Sequence, residues 1–209
     1  MKGILCFGGS ITYGRRDNLK RGWCGRLQQY FEAQDYYHAV YNLGIPGDTS
    51  RDVLERIDVE AKLRCKHNHE GDSFTIVIAV GTNDSKGKGS LEAIQVPHDE
   101  FRENLKKILD IAKSHTSSVV TLGLLPVDEE KTNPYEDTYF TNARIQEYNA
   151  IIKEVCGEKE IPLLELYDEF IANDDYITKL ADGLHPNAEG YDWVFEKVKG
   201  FLVREKIMD

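Results

Sequence analysis

Five short apolar runs punctuate the chain, and the longer segments between them repeat their apolar residues every three or four positions. Residues 4–7 are too few for a helix and end at Gly8-Gly9, which reads as a buried strand closed by a sharp turn. Residues 38–42, 74–80, 118–125 and 161–166 read the same way. The run at 74–80 is the clearest, being continuous and β-branched, as a strand covered on both faces must be. Helical spacing joins Trp23, Leu27, Tyr30 and Phe31, and then Val53, Leu54 and Ile57 behind the capping residues Thr49 and Ser50. It returns in Phe101, Leu105, Ile108, Leu109 and Ala112, and in Tyr148, Ile151, Ile152 and Val155. The last helix carries Tyr191, Val194, Phe195, Val198, Phe201 and Leu202, with Pro186 near its first turn, where a missing N–H costs little. Strands alternating with helices at this rhythm predict the α/β class: a parallel sheet between two helical layers, in one domain over residues 1–209.

Composition narrows the partners. A formal charge of −10 over 209 residues argues against nucleic acid and anionic membranes as main partners. No apolar run reaches the length of a membrane span, and the first strand starts too early to leave room for a signal peptide. Cys6, Cys24, Cys65 and Cys156 are scattered without a Cys-x-x-Cys pair, a pattern that suits reduced thiols in the cytoplasm. Cys65, His67 and His69 alternate as a short chelate would, but no fourth ligand pattern lies nearby, so a solvated loop without metal is expected there.

The chemistry sits at the ends of the predicted strands. Ser10, Gly44 and Asn83 follow the first, second and third strands, so all three belong to loops on the carboxyl edge, where open parallel sheets bind ligands. His185 precedes the last helix, and Asp182 lies three residues before it. Acyl transfer needs these types: a serine to attack, a histidine to take its proton, and a carboxylate to hold the imidazole. The Ser10 and Gly44 N–H groups and the Asn83 amide would then serve as oxyanion donors. Singly, each has a plainer reading: Ser10 as a helix cap, Gly44 and Asn83 as turn residues, His185 as a loop histidine.

Taken together, Phe7-Gly8-Gly9-Ser10-Ile11-Thr12, Asn42-Leu43-Gly44, Gly81-Thr82-Asn83-Asp84 and Asp182-Gly183-Leu184-His185-Pro186-Asn187 resemble, in order and spacing, the four blocks of the SGNH (GDSL-type) hydrolases. The resemblance spans nearly the whole chain. It implies a flavodoxin-like five-stranded sheet of order 2-1-3-4-5, a small-molecule ester substrate, and no metal or organic cofactor. It implies Ser10 as nucleophile, Asp182 and His185 as its triad partners, and Ser10, Gly44 and Asn83 as the oxyanion hole.

Gly9 stands where the family pattern has Asp, a departure that leaves the triad complete and opens a rival reading as a catalytically weak carbohydrate-binding protein. A phosphate-binding protein using the glycines as an anion nest is a third reading, and it leaves Asp182 and His185 without a role. Residues 126–140 carry Asp128, Glu129, Glu130, Glu136 and Asp137. If these face the site they disfavour anionic acyl groups; otherwise they form a solvated loop. Short acyl groups on sugars, alcohols or aryl leaving groups are the expected substrates, with thioesters and lysophospholipids also handled within the family.

Overall fold

The computed structural model describes residues 1–66, 68–173 and 175–208. Strands β1 (Lys2–Gly8), β2 (Ala39–Gly44) and β3 (Ser73–Ala79) form the centre of the sheet, with β1 paired in parallel to both neighbours. Gly8 lies level with Gly44 on one side and Ala79 on the other, so the three strands end along one line. That shared ending puts Ser10, the 45–49 loop and Asn83 beside one another.

Beyond the small strand β4 (Gly87–Lys88) come β5 (Ser118–Leu122), β6 (Thr138–Tyr139) and β7 (Leu163–Leu164). The main sheet runs β2-β1-β3-β5-β7, all parallel, which is the expected order 2-1-3-4-5 when its own strands are counted. The remaining pair, β4 and β6, makes an antiparallel ribbon with Gly87 opposite Tyr139. Both belong to stretches that read as loops, because two-residue strands leave no periodicity to detect.

Alternation along the strands sorts side chains to two cores. Leu5, Phe7, Ile76 and Ile78 pack with α3 (Ser50–Arg64), α4 (His98–His115) and α6 (Asn142–Glu158). Ile4, Cys6 and Val77 point the other way, toward α2 (Gly22–Glu32) and α8 (Ala188–Arg204). Period-two alternation with both faces apolar is what a sheet between two helical layers requires. The helix starts are set locally. Asp52 accepts from the Thr49 N–H at 2.8 Å, and Asn187 accepts from Gly190 N at 3.0 Å.

Two strands are shorter than their apolar runs. The run at 118–125 leaves the ladder after Leu122, although Leu124 and Leu125 remain buried. Its edge neighbour β7 is only two residues long, so later N–H groups find side chains instead: Leu124 N donates to Asn149 Oδ1 at 2.8 Å and Val127 N to Asn142 Oδ1 at 3.0 Å. Burial explains the apolarity, and lack of a partner ends the strand.

Candidate active site

Ser10 opens the single-turn helix α1 (Ser10–Tyr13), immediately beyond β1. Its Oγ is 2.8 Å from His185 Nε2, and His185 Nδ1 is 2.9 Å and 3.1 Å from the two oxygens of Asp182. The histidine is buried between them. Because Nδ1 faces a carboxylate, the neutral ring carries its proton there and offers the Nε2 lone pair to the serine hydroxyl.

The 182–185 turn is built to hold this arrangement. Asp182 Oδ1 accepts from the backbone N–H of His185 at 2.8 Å and of Leu184 at 3.2 Å. Ala181 N donates to His185 O, and Asp128 N to Gly183 O, both at 2.8 Å. Partial burial alone would raise the Asp182 carboxyl, but hydrogen bonds from the His185 ring and backbone and from Arg16 outweigh it and hold the group well below the usual carboxylate range. The carboxylate therefore stays ionised.

Asn83 follows β3, and its Nδ2 donates to Asp48 O at 2.9 Å, which fixes the amide and leaves its second hydrogen for another acceptor. A Cβ on Gly9 would stand 2.9 Å from that same Nδ2, so the glycine gives the amide its room.

Gly44 is placed differently from Ser10 and Asn83. Its N–H donates to Asn42 Oδ1 at 3.1 Å, and a Cβ there would meet Tyr13 N at 2.3 Å. Close approach of α1 to β2 is what requires this glycine. From that loop Pro46 and Gly47 line the cleft with Ser10, Asn83 and His185; Gly47 has a φ of 94°, which favours glycine, and its N–H has no partner among the described residues. The Pro46-Gly47 pair, a strong turn signal, was the clue in the sequence.

Asp84 ties these loops together from below. Fully buried, it accepts from Ser50 N at 2.8 Å through Oδ1, while Oδ2 has no partner among the described residues. Burial pushes its carboxyl up to about 6. The folded protein then holds this proton more tightly than the unfolded chain does, so its contribution to stability falls as pH rises from about 4 to about 6. Asp84→Asn carries no titrating group, and in urea melts it should gain on the parent by up to about 3 kcal/mol between pH 4 and pH 7. Parallel pH dependences of the two proteins would mean that Asp84 ionises normally.

The cleft over Ser10 has a volume of about 290 Å³ and is bounded by Arg15, Lys86, Tyr135, Glu136 and Phe140 among others. A smaller recess of about 20 Å³ lies between Ser10, Ile11, Thr82 and Asn83. Of the acidic residues at 126–140 only Glu136 lines the cleft. Asp128 is buried and caps the short helix α5 (Glu129–Thr132) through Glu130 N, and Glu129 accepts from Asn142 N at 2.6 Å. A separate groove of about 200 Å³, with Asn149, Lys153 and Glu165 on its walls, contains none of the predicted site residues.

Of Cys65, His67 and His69, His67 lies outside the described residues, and burial pushes the Cys65 thiol up to about 11. Among the described residues no group of three or more His, Cys, Asp or Glu could hold a metal, and no helix is long and apolar enough to cross a membrane.

Residues 6–193 match the profile of the GDSL-like lipase/acylhydrolase family. The chain is 28% identical over 160 residues to the isoamyl acetate-hydrolyzing esterase of Saccharomyces cerevisiae, covering 73% of this chain and 63% of the yeast protein. It is also 28% identical over 232 residues to a multidomain esterase of Ruminococcus flavefaciens, covering 95% of this chain and 28% of that protein. Both relatives are thus substantially longer than the stretch they share with it. The fold superposes on the crystal structure of the lipase/acylhydrolase from Enterococcus faecalis with a TM-score of 0.77 at 26% identity, covering 97% of this chain and 95% of that one. With most of its length inside the family profile, the chain belongs to the GDSL-like lipase/acylhydrolase family.

Proposed function

We propose that the chain hydrolyses carboxylic esters of small acyl groups through an acyl-enzyme at Ser10. The observation that carries this reading is the continuous hydrogen-bond relay from Ser10 Oγ through His185 to Asp182. Ser10 Oγ attacks the ester carbonyl carbon while its proton passes to His185 Nε2. Asp182 holds the imidazolium so formed, and the collapsing intermediate expels the alcohol, whose oxygen takes that proton. Water then attacks the acyl-enzyme with the same histidine as base, releasing the acid and restoring Ser10.

The negative charge on the carbonyl oxygen would be met by the Ser10 N–H, the free Asn83 amide hydrogen and the Gly47 N–H, which takes the part first expected of Gly44. The recess of about 20 Å³ beside Ser10 has room for about one water-sized group, such as the methyl of an acetyl ester, while the polar cleft of about 290 Å³ suits a hydroxyl-rich alcohol such as a sugar. Four free cysteines are in keeping with a reducing, cytoplasmic setting. The binding-protein alternative rests on Gly9 alone, and Gly9 has a role here in making room for the Asn83 amide.

The test is a panel of p-nitrophenyl acetate, butyrate and octanoate together with acetylated sugars. kcat/KM should be highest for acetyl esters and fall with each lengthening of the acyl chain. Asn83→Ala should lower kcat on the order of a hundred- to a thousandfold with KM changed much less. Absence of turnover on every ester would sink the proposal, and a loss confined to KM would make Asn83 a substrate-binding group.

A further inference from the structure

Asp182 is held by more than its histidine. Oδ2, the oxygen nearest His185 Nδ1, also accepts from Arg16 Nε at 2.6 Å and from the Tyr135 hydroxyl at 3.2 Å. Arg16 Nη2 lies 3.5 Å from that hydroxyl, so the three side chains form one cluster on the outer side of the carboxylate. Arg16 belongs to the segment that leaves α1, and Tyr135 to the turn before β6, in the same stretch that supplies Glu136, Thr138 and Phe140 to the cleft.

The backbone gives a second, independent sign. Arg16 has a φ of 72° and Glu136, next to Tyr135, a φ of 55°, a left-handed conformation that L-residues other than Asn and Asp seldom adopt. Departures of this kind persist where the surroundings fix them, and they gather at functional sites. Tyr135 N donates to Thr138 O at 2.6 Å and Thr138 N to Tyr135 O at 3.0 Å, which locks the turn that aims the phenol.

We propose that Arg16 and Tyr135 are positioning residues for the relay: together they pin Asp182 against His185, and the Arg16 charge sets the pH range over which His185 can act as base. The inference rests on the esterase reading of Ser10 and deepens it. A carboxylate swinging freely on its Cα–Cβ bond would spend time away from the imidazole, and small misplacements in a relay are expensive in rate. Arg16 is half-exposed, so solvent screens it, but its charge still opposes a second positive charge on the ring beyond the carboxylate. Removing it should favour the imidazolium. The other groups facing the Asp182–His185 pair are Arg15, Lys86 and Glu136 across the cleft and Tyr191 from α8. All of them stay in place when Arg16 is changed.

The experiment compares Arg16→Met, Arg16→Lys and Tyr135→Phe with the parent on p-nitrophenyl acetate from pH 5 to 9, with melting temperatures measured throughout. Arg16→Met should lower kcat by about ten- to a hundredfold with KM nearly constant. The acid limb of its kcat/KM profile should move up by roughly half a pH unit. Arg16→Lys keeps the charge and should restore the limb while recovering only part of kcat, and Tyr135→Phe should lower kcat without moving the limb. Unchanged kcat and profile in Arg16→Met and Tyr135→Phe would overturn the proposal, as would losses that appear in KM alone or that track the unfolded fraction. NMR titration of the His185 ring protons in parent and Arg16→Met, with the same upward shift expected, needs no turnover and tests the charge effect even if the protein cleaves no ester. An unmoved titration midpoint would refute it.

Discussion

Ser10→Ala is expected to abolish ester hydrolysis while the protein melts within a few degrees of the parent. Among the described residues the Ser10 side chain bonds to His185 alone, and the Ser10 carbonyl, which accepts from Gly14 and Arg15, is untouched by the change. Loss of the nucleophile costs a serine protease on the order of a millionfold in kcat, and among the described residues no other hydroxyl touches His185 Nε2. A phosphonate ester should add one adduct to the parent, mapped to Ser10, and none to the variant. Residual turnover within a hundredfold of the parent, or labelling elsewhere, would remove Ser10 from the chemistry.

Asp182→Asn should be nearly as damaging, on the order of ten-thousandfold in kcat. The reason lies in what surrounds the carboxylate: Oδ1 faces the N–H groups of Leu184 and His185, and Oδ2 faces Arg16 Nε, the Tyr135 hydroxyl and the His185 ring. An amide has one oxygen. If its NH2 takes the Oδ1 position, donors meet donors along the backbone of the turn. If it takes the Oδ2 position, it faces Arg16 and forces the imidazole to accept at Nδ1, which leaves the proton on Nε2 and deprives Ser10 of its base. The first orientation loses the backbone bonds of the turn and the second the bond from Arg16, so the melting temperature should fall as well, unlike in Ser10→Ala. A kcat within tenfold of the parent would show that Asp182 is dispensable to the relay.

Much of this arrangement was readable before any fold was known. Phe74 to Val80 could only be a central strand, and Ser10 and Asn83 could be put on one sheet edge because each directly follows an apolar run. Asp182 and His185 were legible through their spacing on a short turn. Gly44 was harder to place, since a Leu-Gly-Ile-Pro-Gly-Asp stretch holds two glycines and only packing distinguishes their positions. Gly44 is needed where Tyr13 N comes close, and Gly47 where the chain turns with positive φ over the cleft. The apolar run through Leu124 and Leu125 overstated a strand, because periodicity reports burial and is blind to whether a neighbour is there to bond. Arg16 and Tyr135 left no signal at all. They meet across 119 residues of chain, and one of them sits in a stretch whose acidic composition suggested either a site unfriendly to anionic acyl groups or a solvated loop.

The ribbon of β4 and β6 has a consequence for how this cleft can diversify. Gly87 and Lys88 belong to the loop beyond Asn83, Thr138 and Tyr139 to the loop that carries Tyr135, and their pairing sews the two into a single wall. Lys86, which lines the cleft from one loop, and the phenol that touches Asp182 from the other are therefore parts of one piece. A lengthened or shortened loop on either side would shift the register of the seam, and with it both the mouth of the cleft and the seating of Asp182. Reshaping the cleft without disturbing Asp182 therefore means either altering side chains on a wall of fixed length or remodelling both loops in step.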